Sequence, residues 1–221
     1  MRRRILWQAV AFTLTFCNYA VLHATRAAWS NATPQIKQRY PEDNLDRVVS
    51  WVNSAFLLCY ASAGVVSGHV SDRFAKRKGL FIFLAHLAIG TNVILLGCLQ
   101  YAERPQVWLF LLIRMVDGTL QSVGWAVNLA VMSNWFPKRG RGLLIGCWAS
   151  NANVGDIIGA QIYKAAIGTA SMPSEIAWGN GIMIVGGLVV SVGIINLLTL
   201  VEFPSEKGIV IDEHSTILQV E

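Results

Sequence analysis

The chain has 221 residues, of which 54% are hydrophobic and only 14% charged, with a formal net charge of +5. A mean hydropathy of +0.47 and so little charge exclude an ordinary soluble domain and point to a membrane protein. The isoelectric point near 9.2 does not indicate a nucleic-acid partner, because the cations collect at the ends of apolar runs rather than along one face.

Six runs reach the roughly 20 residues needed to cross a bilayer as helix: Ile5 to Ala28, Ser50 to Val70, Gly79 to Gln100, Val107 to Ser133, Gly142 to Ile167 and Ala177 to Val201. The expected fold is therefore an all-α membrane protein of six transmembrane helices, with a bundle over 1–201 and a polar cytoplasmic tail over 202–221. The opening Met-Arg-Arg-Arg before an apolar run resembles a signal peptide, but the run is long and lacks a small-residue cleavage site, so it reads as a retained span. The longest connection is expected between Trp29 and Val49 and contains the sequon Asn31-Ala32-Thr33, which Pro34 and the nearby membrane disfavour for glycosylation.

Charge sets the orientation. With the N-terminus inside, Arg2, Arg3, Arg4, Arg73, Lys76, Arg77, Lys78, Lys138, Arg139, Arg141 and Lys207 are cytoplasmic, eleven of the eighteen Lys and Arg residues, and both termini lie on that side. Trp7, Trp29, Trp51, Trp108, Trp135 and Trp178 fall near span ends, where amphipathic indoles belong. The four cysteines, Cys17, Cys59, Cys98 and Cys147, are spaced for neither a zinc site nor a disulfide framework.

Charged groups inside a span cost about 2.5 to 3.5 kcal/mol on insertion scales and mark functional candidates. At helical spacing Tyr19, His23, Arg26 and Ser30 share one face. The guanidinium of Arg26 suits phosphate, which it binds through paired charge-assisted hydrogen bonds; its place near the outer end of the span equally suits snorkelling to headgroups. Arg114 and Asp117, three apart, can pair on one helix face, followed by Gln121, Trp125 and Asn128. The fifth span adds Asn151, Asn153 and Asp156, the last a mid-span carboxylate expected to be protonated or to seek Arg26 or Arg114. Gly142, Gly146, Gly155 and Gly159 form small-xxx-small pairs that favour close helix packing.

The densest charge lies in Gly68-His69-Val70-Ser71-Asp72-Arg73-Phe74-Ala75-Lys76-Arg77-Lys78. A basic cytoplasmic turn would explain its cations alone, but not Gly68 and Asp72, which share a helical face. The pattern Gly-x-x-x-Asp-Arg-x-x-Lys-Arg resembles the signature between the second and third helices of major facilitator superfamily transporters, with Ala75 where that family usually has Gly. Asp117 to Trp125, Asn134-Trp135-Phe136, Arg141-Gly142 and Trp148 to Gly155 look like the fourth and fifth helices of its organophosphate:phosphate antiporter branch, the eukaryotic sugar-phosphate exchangers in particular. The match extends to Tyr19 to Arg26 and Tyr60 to Arg73, and so covers nearly the whole chain.

The resemblance implies a cytoplasmic latch formed by Gly68, Asp72, Arg73, Lys76 and Arg77, a phosphate-binding role for Arg26, and a cavity position for Tyr60. Tyr19, His23, Gln121, Trp125, Asn151 and Asn153 complete the candidate substrate-binding set; Arg114, Asp117 and Asp156 are candidate proton or ion-pair sites. Ala27, Gly64 and Ala152 stand where relatives in this branch carry Lys, Lys and His, leaving fewer cavity cations. The family has twelve helices in two halves, and this chain matches the first six. A second half is expected from a longer gene product, a second copy or a larger homologue.

The leading expectation is a secondary transporter exchanging a phosphorylated sugar or glycerol-3-phosphate for inorganic phosphate. A non-transporting partner protein and a proton-coupled carrier of another organic anion are the alternatives. No nucleophile motif or His/Cys ligand pair suggests an enzyme, a metal or a cofactor.

Overall fold

The computed structural model describes residues 2–40, 44–73, 77–103, 106–138 and 141–211, without the side chains of 70–72. Eight α-helices and no strand occur among the described residues: α1 (Arg2–Arg39), α2 (Leu45–Arg73), α3 (Lys78–Cys98), α4 (Val107–Gln121), α5 (Val123–Trp135), α6 (Arg141–Ala149), α7 (Asn151–Gly168) and α8 (Trp178–Thr199). Ser122 keeps helical angles (φ −58°, ψ −28°), so α4 and α5 act as one rod. At Ser150 (φ −64°, ψ −10°) the N–H donates to Cys147 O, three residues back, and the helix tightens before running on as α7.

Among the described residues five segments are long and apolar enough to cross a membrane: Arg2–Arg39, Leu45–His69, Lys78–Tyr101, Val107–Trp135 and Trp178–Thr199. The expected fifth run is the exception, divided between α6 and α7 and interrupted by Asn151, Asn153, Asp156 and Lys164. Six passes of the chain nonetheless pack side by side, α3 against α8, α1 against α7, and α2 against α4. α1 also touches α8 and α5, which makes it the hub of the bundle.

α1 differs most from its expected bounds. It continues through Pro34 to Arg39, 38 residues in all, and spans about 57 Å at 1.5 Å per residue. The long loop expected between Trp29 and Val49 therefore reduces to the residues between Arg39 and Leu45. Asn31 is inside the helix, its Nδ2 donating to Ala27 O at 2.8 Å. Trp29, Trp135 and Trp178 belong to the core, at 4%, 0% and 0% exposure, whereas Trp51 and Trp108 are exposed as expected of interfacial indoles.

The small-residue pairs divide in the same way. A Cβ on Gly155 would collide with Ala20 O and one on Gly159 with Ala24 O, so these two glycines bring α7 onto the backbone of α1. Gly118 does the same for α4 under Phe56 of α2. Gly142 and Gly146 meet nothing within 4 Å.

The polar segment after α8 is docked at the bundle end where α1 begins. Trp135 Nε1 donates to Val201 O (2.9 Å), Asn134 Nδ2 to Glu202 O (3.1 Å), and Gly79 N–H to Glu202 Oε1 (2.7 Å). Lys207 lies 4.6 Å over the Trp7 ring, which itself stacks on Trp135. Burial is the main cause that pushes the Glu202 carboxyl above its ordinary value; the Gly79 N–H opposes it, Glu206 adds to it and Lys78 opposes it. A carboxyl raised in the folded state stabilises it fully below the unfolded value of 4.5, and the contribution is lost as pH rises through the folded value.

Two outcomes follow. Gly155→Leu loses about 2 kcal/mol or more of stability in detergent, as expected for forced overpacking, while Gly142→Leu stays within about 0.5 kcal/mol of wild type by thermal unfolding. Hydrogen exchange at Gly79 and at the backbone amides of 202–203 and 205–209 quickens as pH rises above 4.5 beyond the intrinsic trend, and Glu202→Gln abolishes the excess.

Candidate functional site

The site begins with a buried ion pair on α4. Arg114 is 3% and Asp117 0% exposed, and Arg114 Nη1 donates to Asp117 Oδ2 at 2.5 Å across one helical turn. Asp117 Oδ1 accepts from Gln121 Nε2 (2.9 Å), the same nitrogen donates to Thr25 Oγ1 (3.0 Å), and Gln121 Oε1 accepts from Arg26 Nε (3.0 Å). One continuous polar chain thus runs from the α4 ion pair across to α1. Gln121 is fully buried and acts on Arg26 by holding it in place.

Aromatic faces complete the setting of both cations. The Arg26 guanidinium lies 4.8 Å from the Tyr60 ring centroid and 5.3 Å from Phe56; Arg114 lies 4.1 Å from Phe56 and 5.4 Å from Trp29. Such contacts attract the cations and restrict the plane of the fork. Arg26 Nη2 is nevertheless buried without a hydrogen-bond partner among the described residues, as is Arg114 Nε. A buried donor with no acceptor costs about 1 to 3 kcal/mol, more when charged, so Arg26 holds an unspent capacity for an anion.

Around Arg26 the candidate residues converge. Tyr19 and Tyr60 share a hydroxyl hydrogen bond of 2.9 Å; Tyr19 stacks on Trp148 and meets Trp125 and His23 edge-on at 5.7 and 5.2 Å. Trp125 is 40% exposed and lines a cleft of ≈ 510 Å³ with Tyr60, Gly64 and Gly68 on the side toward the α2 C-terminus. A second cleft of ≈ 480 Å³, on the other side, is lined by Arg26, Arg114 and Asn53.

Other candidates lie apart. Asn151 is buried and donates to Trp148 O (2.6 Å), with Oδ1 unpartnered, while Asn153 is exposed on α7. Asp156 approaches neither arginine: its side chain is 54% exposed and its nearest cation-forming group is His23 Nδ1 at 3.8 Å. The α1–α7 crossing turns Asp156 toward the open face, whereas the two arginines point toward α2 and α4. A Cβ on Gly68 would meet nothing within 4 Å among the described residues, Arg73 and Arg77 are exposed, and the Asp72 side chain and Lys76 lie outside the described residues.

The sequence reading missed a second polar cluster at the centre of the bundle. Asn18 Nδ2 donates to Asn128 Oδ1 (3.1 Å) and Asn196 Oδ1 (2.9 Å), and Asn196 Nδ2 donates back to Asn18 Oδ1. His86 Nε2 reaches Asn18 O at 3.3 Å. Each partner comes from a different helix, α1, α5, α8 and α3, so no local spacing in the sequence joins them.

Buried amides and an ion pair within apolar helices describe a multi-pass membrane protein. The sequence profile of the Major Facilitator Superfamily matches residues 7–216, and the chain belongs to that family. A protein of Arabidopsis thaliana named as glycerol-3-phosphate transporter 1 is 27% identical over 94% of this chain and 43% of its own length. Sugar phosphate exchanger 3 of Homo sapiens is 30% identical over 82% of this chain and 42% of its own, and a glucose-6-phosphate exchanger of Bos taurus is 29% identical over 80% and 33%. These relatives are named as transporters, and the chain spans less than half the length of each.

Because Asp117 has Arg114 as its charge partner in a dry site, Asp117→Asn lowers stability by about 3 to 5 kcal/mol, and Arg114→Met/Asp117→Leu recovers most of the loss, both read from thermal unfolding in detergent.

Proposed function

We propose that this chain is one half of a secondary transporter that exchanges a phosphorylated sugar or glycerol-3-phosphate for inorganic phosphate by alternating access. The observation that carries the reading is Arg26: it lines a cleft, Gln121 holds its Nε, and its buried Nη2 awaits an acceptor. Phosphate offers that acceptor with matching charge and geometry. The names of the relatives support the same substrate class. The chain carries no catalytic role in this reading; its work is binding and rocking.

Both termini are cytoplasmic, by the excess of Lys and Arg at the end shared by Arg2, Arg73 and Lys138. Gly68, Asp72, Arg73, Lys76 and Arg77 then form a latch at that surface, engaging a second six-helix bundle that closes the open sides of the clefts.

Arg26→Lys keeps the charge but removes the planar fork and the Nε contact with Gln121. Binding of radiolabelled inorganic phosphate to protein in lipid nanodiscs falls at least about tenfold in this variant, one lost charge-assisted contact. Wild-type affinity in the folded variant would sink the role of Arg26.

A further inference from the structure

The cleft beyond Arg26, toward the α1–α2 turn, has a second chemistry. At ≈ 480 Å³ it exceeds what one phosphate fills and is within the range of small-molecule sites. Asn53 Oδ1 accepts from Trp29 Nε1 at 2.8 Å, which fixes the amide so that Nδ2 points away from the indole, with no partner among the described residues. Ser30 is exposed to the cleft, and its hydroxyl likewise has no partner among the described residues. Thr33 Oγ1 donates to Trp29 O (3.1 Å) and retains lone pairs to accept. Pro34, also lining the cleft, has no N–H to return to the Ser30 carbonyl, the helical partner of any other residue at that position.

These groups are neutral, mix donors with acceptors, and extend one to two helical turns from the arginine. A second phosphate would need a further free cation there, and Arg114 is already paired with Asp117. An alkyl tail would leave the amide and hydroxyl unsatisfied. Hydroxyl groups, which donate and accept alike, fit the set.

We propose that this cleft is a polyol subsite, in which Asn53, Ser30, Thr33 and the Ser30 carbonyl take the hydroxyls of an organophosphate whose phosphate is held at Arg26. The inference rests on the phosphate reading of Arg26. It makes the two exchanged solutes unequal: inorganic phosphate uses only the arginine, and the organophosphate uses arginine and cleft together.

The test compares glycerol-3-phosphate with propyl phosphate, which has the same carbon chain without hydroxyls, as competitors of radiolabelled inorganic phosphate on the full chain in nanodiscs. Wild type prefers glycerol-3-phosphate by about tenfold or more. Asn53→Leu and Ser30→Ala each lose most of that preference and keep the affinity for inorganic phosphate. Ser30→Ala, on an exposed helical position, carries the test alone if Asn53→Leu does not fold. Equal competition by the two esters in wild type, or an unchanged preference in folded variants, overturns the subsite. Absence of inorganic phosphate binding in wild type would instead overturn the phosphate reading, and the subsite with it.

Discussion

An arginine side chain inside an apolar bundle must be matched by charge and hydrogen bonds, and the arrangement of α1, α2 and α4 depends on how that is done. Arg114 meets Asp117 on its own helix, Asp117 uses its second oxygen on Gln121, and Gln121 carries the link to Thr25 and Arg26 on α1. The chain is directional: one end is a closed ion pair, the other a guanidinium with a nitrogen to spare. Gly118, between Asp117 and Gln121, lets α2 descend onto α4 so that Phe56 covers both arginines. Helix approach and site electrostatics are therefore set by the same turn of α4.

The amide cluster of Asn18, Asn128 and Asn196 ties the other side of α1. Buried polar groups in hydrocarbon have few alternative partners, so each amide specifies its neighbour where interchangeable apolar side chains would not. α1 is held by amides on one side and by the Gln121 bond on another. Gly155 and Gly159 bring α7 against its backbone. A hub fixed on three sides can keep Arg26 in register while the other helices tilt.

Much of this was legible in the sequence. Apolar run length gave the passes, the i,i+3 spacing gave Arg114 with Asp117, and motif spacing gave the family. What failed to show were contacts between helices, because one sequence carries no record of which face meets which. Asp156 is expected to be protonated or to seek Arg26 or Arg114; the structure places it beside His23 instead of either arginine, with its side chain 54% exposed. Asn18 and Asn196 lie 178 residues apart in the chain, and only their proximity in the bundle makes them a unit. The first apolar run ends at Ala28, whereas α1 continues through Pro34 to Arg39, because the helix outlasts its apolar stretch. The docking of residues 201–207 was hidden because it relies on backbone carbonyls, which any sequence supplies.

The scarcity of cations around Arg26 has its own logic on the phosphate reading. Arg114 is neutralised by Asp117, so of the two arginines on the cleft walls Arg26 is the one without an acidic partner among the described residues. Gly64 and Ala27 add no charge, and a Cβ on Gly64 would meet nothing within 4 Å, so the space for a longer side chain is present and unfilled. A carrier must bind its solute firmly enough to capture it and weakly enough to release it on the far side. Each further cation would strengthen the hold on every phosphate ester alike, raising affinity without discrimination. Leaving the charge at one and spending the remaining wall on neutral hydrogen-bonding groups gives discrimination between esters while keeping release fast, and in an exchanger both are needed on every cycle.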